Sequence, residues 1–401
     1  MCSSILQDAR LSEFANTSDG ELSLPSSVSF AILIPTVRWS PTVRSIVGSM
    51  LGVANQEVAV LIGDNSENIE KRAFLSEIQK INPNIYFVSH EKNIGSFQNF
   101  LFLHDWCKNI EFSAIIADDD FISPDYHQDG YHLLTNNPQA SCATCGVTLV
   151  DVGDGKKVDV TQKSMLGTTP ANRMRLWSAS AARVTMYDVS RRRMLDNAIE
   201  YHRQSPLKGV TLLEDLWELS RLSQGEYLAT PGHGLYVHYP ATRTIGGDET
   251  ERFYNLLFRD VGLSFPFVYF GSLSTAVQCA IFLLGRFSPI HDISQRHQCA
   301  QMVFNQIFKQ SFLPNISGDS SQQAISTLFG ESQRALEGFA RFCKVSNNLP
   351  VEFNNDVLNW FIEIIKVLET KNEDPYLNMS FKFEKFAQSI MNIDAVQTEV
   401  P

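Results

Sequence analysis

The sequence predicts an α/β fold, a mostly parallel sheet sandwiched by helices, followed by an α-helical C-terminal domain. Three observations carry this. Over residues 30–120, short apolar runs closed by turn formers alternate with stretches whose apolar residues recur at helical spacing. The last of these runs delivers three consecutive carboxylates, Asp118, Asp119 and Asp120, to its end. From about Glu251 the alternation gives way to helical periodicity without catalytic-looking clusters. A chain of 401 residues exceeds what one hydrophobic core usually supports, so two domains are expected, and 44% hydrophobic residues supply the cores.

The first strand is Phe30-Ala-Ile-Leu-Ile-Pro-Thr36, an apolar run closed by proline. Val43, Ile46, Val47, Met50 and Leu51 then recur at helical spacing between Ser40 and Asn55. A second strand runs from Glu57 and ends at the turn formers Asp64, Asn65 and Ser66. A helix near Ile69 to Ile81 and a strand at Asn84 to Ser89 follow. Asn93-Ile-Gly95 opens another helix, through Asn99 to Cys107, before the strand at Ser113. In open parallel sheets the ligand lies beyond the carboxyl ends of the strands, so Thr36, Asp64 and Asp118 to Asp120 should gather there.

Three adjacent aspartates repel one another, and a fold that keeps them at one strand end is expected to hold a divalent cation between them. Hard carboxylate oxygens suit Mg²⁺ or Mn²⁺. The simpler reading is an acidic turn whose Asp caps a helix starting near Pro124. A second acidic pair, Glu214-Asp215, precedes Trp217, Leu219 and Leu222, which predicts a helix N-terminus stabilised by its dipole.

Five segments, Ile32 to Thr36 (ILIPT), Ile62 to Ser66 (IGDNS), Asn93 to Asn99 (NIGSFQN), Ala117 to Pro124 (ADDDFISP) and Leu212 to Leu216 (LLEDL), stand in one order. Together they resemble the family 2 glycosyltransferases, whose A-type nucleotide-sugar transferase fold is Rossmann-like. The resemblance covers roughly residues 29 to 245. ADDDF followed by a helix and Asn136-Asn137-Pro138 is similar to a bacterial subgroup of these enzymes.

The resemblance implies an inverting, metal-dependent transferase. It places Thr36 and Asp64 on the nucleobase and ribose of the donor, with Arg38 nearby and Asn93 and Gly95 in the loop beside the nucleotide. An Asp carboxylate can accept the imide N–H of uracil, which favours a UDP-sugar. Asp118 to Asp120 stand where the family has its D-x-D element, with Asp118 toward the ribose and Asp120 and Asp119 toward Mn²⁺ or Mg²⁺. Asp215 is implied as the base that deprotonates the acceptor hydroxyl, and Glu214 as the residue that orients it. His238, near the end of the strand-like segment Gly234 to Pro240, is implied to complete the metal or diphosphate site. Arg243, before the Gly246-Gly247 pair, is implied as a diphosphate clamp. Arg173, Arg175, Arg183 and the run Arg191 to Arg193 lie in the acceptor-facing half of such a fold, where they could pair with phosphate on a donor or acceptor; the triple run is expected instead to be an exposed basic helix face.

A net charge of −11 without a basic tract excludes nucleic-acid binding as the main role. Residues 1–28 are polar and Ser-rich with no apolar core, which predicts a flexible or loosely docked arm rather than a secretory signal. Seven scattered cysteines fit a reducing, cytoplasmic setting, at the inner face of the membrane where the acceptor is lipid-linked. Cys142 and Cys145 have zinc-like spacing but fall in a predicted strand without a second pair.

The expected domains are the arm, a catalytic domain at 29–250 and a helical domain at 251–401. Val261 to Gly285 contains no charged residue and is long enough to cross a bilayer. Pro266, Gly271 and Gln278 interrupt it, so buried helices are expected, with peripheral membrane contact as the second reading. Val357 to Leu368 has the stripe of a packed helix. The helical domain is also a place for homo-oligomer contacts. The acceptor is a hydroxyl of a glycan, a lipid-linked sugar or a protein. Two other classes compete. A non-catalytic nucleotide-sugar-fold protein, acting as an assembly partner, would not need Asp120 and Asp215. A sugar nucleotidyltransferase would show a glycine-rich loop after the first strand, where Pro35-Thr36-Val37-Arg38 stands instead.

Overall fold

The computed structural model describes residues 24–118, 120–151, 155–178, 187–208, 210–239, 263, 265–330, 332–344, 350–369 and 378–391. The N-terminal half begins with β1 (Phe30–Thr36), α1 (Pro41–Ser49), β2 (Val58–Asp64), α2 (Ile69–Ile81), β3 (Ile85–Ser89), α3 (Ser96–Trp106) and β4 (Phe112–Ile115). It continues with β5 (Phe121–Ile122), α4 (Pro124–Asn136), β6 (Ala140–Asp151), β7 (Lys157–Val160), β8 (Val189–Arg191) and β9 (Glu226–Tyr239). The sheet order is β3-β2-β1-β4-β8-β6-β9-β5, with β7 on β6. β1 to β4 form the predicted parallel half; β8 joins β4, and β6 joins β8, antiparallel.

Every residue of β2 is buried, as expected of a central parallel strand covered by helices on both faces. Ile32, Ile34, Val60 and Ile62 share a core cluster with Val43, Ile46 and Val47 of α1 and Leu75 and Ile78 of α2. The helices start where local chemistry dictates: Ser40 accepts the Val43 N–H with Pro41 at the first helical position, and Asn68 accepts the Lys71 N–H.

The chain divides into two compact units that interleave: Met1–Ser164, Ala182–Arg193 and Leu228–Ala241 form one, and Met165–Ala181, Met194–Tyr227 and Thr242–Pro401 the other. The expected division at residue 250 was sequential. In the structure, α5 (Pro170–Ser178), α6 (Asp196–Gln204) and α7 (Val210–Gln224) belong with the C-terminal helices, because their apolar faces pack there. The second unit continues with α8 (Gly271–Leu284), α9 (Ile293–Ile307) and further helices that include Asn355–Glu369 and Met379–Met391.

The window Phe267–Leu284 is long and apolar enough to cross a membrane, with mean hydropathy 1.7, and 72% of it is buried within the protein. Gln278 of α8 explains why a polar residue is tolerated there. Its Oε1 accepts Ser205 Oγ at 2.6 Å, and its Nε2 donates to Leu207 O at 3.2 Å and Ser274 Oγ at 3.1 Å.

Only part of the arginine run is a basic helix face: Arg192, half-buried, and Arg193, exposed, open a short 3-10 turn, whereas Arg191 ends a strand. Arg191 is buried on β8, where it donates to Ala140 O at 2.9 Å, Leu134 O at 2.8 Å and Glu111 Oε1 at 2.6 Å and lies over the Phe112 ring. Arg173 is likewise buried and spends its guanidinium on the carbonyls of Gly167, Leu222 and Ser223. Both satisfy orphan carbonyls rather than presenting charge to a ligand.

Candidate functional site

Strand register assembles the site. β1 pairs Thr36 with Asp64 of β2, β2 pairs Asp64 with Ser89 of β3, and β1 runs in register with β4 so that Thr36 reaches Asp118 just beyond it. Of the expected gathering of Thr36, Asp64 and Asp118 to Asp120, Thr36, Asp64 and Asp118 meet at the carboxyl ends of four parallel strands.

Lys71, from the first turn of α2, joins these groups. Its side chain and that of Asp64 are both 0% exposed, with Nζ 2.9 Å from Asp64 Oδ1. Nζ also donates to Thr36 Oγ1 at 2.9 Å. Because the ammonium occupies a lone pair of that hydroxyl, the single hydroxyl proton goes to Asp118 Oδ2, 2.6 Å away. Asp118 Oδ1 accepts Nε of Arg38 at 3.0 Å and also its Nη2. Arg38 is 54% exposed against 5% for Asp118, so a buried carboxylate anchors a cation that reaches the surface. Burial holds the Lys71 ammonium below its ordinary pKa of 10.5, with Asp64 pulling it back up.

Asp64 stands at the expected strand end, fully buried, and its carboxylate accepts several donors from within the protein. Oδ1 accepts Lys71, Ser66 N at 3.1 Å and Ser66 Oγ at 2.7 Å, and Oδ2 accepts Ser89 Oγ at 2.9 Å. The adjacent loop is tied to the same strand end: Asn65 donates to Asn93 Oδ1 at 2.8 Å and accepts the Ile94 N–H at 2.8 Å. Asn93 Oδ1 also accepts the Gly95 N–H at 2.8 Å, and Gly95 takes φ +86°, which favours glycine, at the start of α3.

Asp120 is buried, and its Oδ2 accepts the hydroxyl of Tyr187. Asp119 and Arg243 lie outside the described residues. β9 runs antiparallel to β5 with Tyr236 opposite Phe121, and His238 follows two residues along β9; its side chain lies outside the described residues. Among the described residues no group of three or more His, Cys, Asp or Glu side chains is arranged to hold a metal ion.

Glu214 and Asp215 belong to the second unit. α7 begins at Val210, so the pair sits past the first turn rather than at the N-terminus, and the capping explanation for it fails. Burial, reinforced by the Asp215 charge, pushes the Glu214 carboxyl from 4.5 to about 7.

Two partners were not read from the sequence. Lys71 had a signal, since it shares the buried face of α2 with Leu75 and Ile78 at spacings of four and three. Tyr187 had none.

No protein-family model matches the sequence, and no curated protein matches it. Solved structures do. S. aureus TarS 1–349 in complex with UDP aligns over 84% of this chain and 90% of its own, with a TM-score of 0.53 at 13% identity. The same protein in complex with UDP-GlcNAc aligns over 86% and 93%, with a TM-score of 0.51 at 12% identity. TarS 1–349 without a named ligand gives 0.51 at 13% identity over 84% and 90%. At such identity the likeness is one of fold, and that fold is the A-type glycosyltransferase-like fold that the five ordered segments imply.

Proposed function

We propose that this chain is an inverting glycosyltransferase that moves a sugar from a UDP-sugar to a hydroxyl of a glycan, lipid-linked or protein acceptor. One observation carries the reading: the linked set Lys71, Thr36, Asp118 and Arg38 closes the carboxyl ends of the parallel strands. Its support is a fold shared with structures solved with UDP and UDP-GlcNAc.

In this reading Thr36, Asp64, Asn93 and Gly95 frame the nucleoside with Arg38 nearby, and Arg243 is the proposed clamp on the diphosphate. Asp118 spends both oxygens on Thr36 and Arg38. The residues left to hold Mg²⁺ or Mn²⁺ are Asp120, Asp119 and His238, and carboxylate oxygens are the hard donors these ions prefer. Bound there, the cation would neutralise charge on the departing diphosphate. Asp215 takes the proton of the acceptor hydroxyl as that oxygen attacks the anomeric carbon in a single displacement, and Glu214 orients the acceptor. The reaction belongs in the cytoplasm, at the membrane face when the acceptor is lipid-linked.

The test is a thermal-shift screen of nucleotides with and without Mn²⁺ or Mg²⁺, followed by donor hydrolysis across a nucleotide-sugar panel. UDP at a hundred times its Kd should add about 2.7 kcal/mol of stability, and only when metal is present. No stabilisation by any nucleotide and no hydrolysis of any donor would end the reading.

A further inference from the structure

Tyr187 touches the acidic segment at two points. Its hydroxyl donates to Oδ2 of Asp120, 67 residues earlier in the chain, and its carbonyl accepts the hydroxyl of Tyr126 at 3.0 Å. Tyr126 lies in the first turn of α4, the helix that directly follows the acidic segment, and its N–H is bonded to Ser123 O at 3.1 Å. Ser123 in turn donates its N–H to Gly234 O of β9 at 2.7 Å. Asp120, Tyr126 and Tyr187 are all buried, at 5%, 4% and 6% exposure. The segment is therefore held on one side by the phenol, on the other by the helix start, and Tyr187 joins both.

We propose that Tyr187 is a positioning residue that fixes the Asp120 carboxylate for the divalent cation accompanying the donor diphosphate; this rests on the glycosyltransferase reading above. A phenol that donates to a carboxylate stabilises its ionised form, the form that ligates a cation, and selects one orientation of the carboxylate plane. A purely structural tyrosine would stabilise the fold without affecting metal affinity.

The experiment uses the full chain with Mn²⁺ as probe, titrated in the presence of UDP and followed by the electron paramagnetic resonance signal of free Mn²⁺. Tyr187→Phe keeps the ring and removes the hydroxyl. It should raise the Mn²⁺ dissociation constant about tenfold or more, the usual effect of deleting a partner of a metal ligand. Tyr126→Phe also removes a buried hydroxyl, one that donates to the Tyr187 carbonyl, and should lower the melting temperature while leaving Mn²⁺ affinity unchanged. In an Asp120→Asn background, Tyr187→Phe should cause no further loss, because the two changes act on one contact. Unchanged Mn²⁺ affinity in Tyr187→Phe, or an equal loss in Tyr126→Phe, would overturn the proposal and leave the glycosyltransferase reading standing. A wild-type chain that takes up neither UDP nor Mn²⁺ would overturn both.

Discussion

Asn99 closes over the α-carbon of Gly63: its Nδ2 donates to Gly63 O at 2.7 Å, and a Cβ built on Gly63 would lie 2.1 Å from Asn99 Oδ1. The same Oδ1 meets His90 Nε2 at 3.0 Å. Close approach, not backbone conformation, thus requires glycine immediately before Asp64. Gly63→Ala should cost about 1–3 kcal/mol through overpacking. Thermal melts of Gly63→Ala and of Gly63→Ala with Asn99→Ala check this: the second change should recover part of the loss, and no recovery would mean that Asn99 is not the obstacle.

Lys71 and Asp64 form a pair fully withdrawn from water. Removing one partner of such a pair leaves a buried charge without compensation, so Lys71→Met should destabilise the first unit by about 3–5 kcal/mol. Adding Asp64→Asn removes the stranded charge and should return much of that. Urea denaturation of the two variants measures the difference; a single variant as stable as wild type would show that the lysine is not needed to hold the strand ends.

The parallel half of the fold was legible because β1 and β2 are buried along their length and read as uninterrupted apolar runs. Thr36, Asp64 and Asp118 were legible as neighbours because parallel strands in register end together. What was not legible is set by tertiary pairing. Arg191 reads as surface charge until β8 is known to insert between β4 and β6. Tyr187 finds Asp120 through that same insertion, which no local pattern encodes. Glu214 and Asp215 were placed at a helix start because an acidic pair is itself an N-terminal signal, whereas the helix already begins a turn earlier, at Val210.

Glu214 makes stability depend on pH in a defined direction. Its folded-state carboxyl is raised from 4.5 to about 7, so between these values the folded chain holds a proton that the unfolded chain has released. The contribution is complete below the lower value and is lost as pH rises through the higher one. Melting temperature measured across this window should therefore fall less steeply with rising pH in Glu214→Gln than in wild type. Parallel profiles for the two proteins would remove Glu214 as the source.

Asp120 and Asp215 have different proposed tasks, and their variants should fail differently. Asp120→Asn removes a carboxylate proposed to hold the cation, so both transfer and the metal-dependent part of UDP stabilisation should be lost. Asp215→Asn removes the proposed base and should abolish transfer while UDP and Mn²⁺ still stabilise the protein, because a base acts on the acceptor and not on the donor. Circular dichroism establishes that both variants are folded, and the thermal shift with UDP and Mn²⁺ separates the two roles. Full transfer by Asp215→Asn would require another base, and metal-dependent UDP stabilisation retained in Asp120→Asn would move the cation to other ligands.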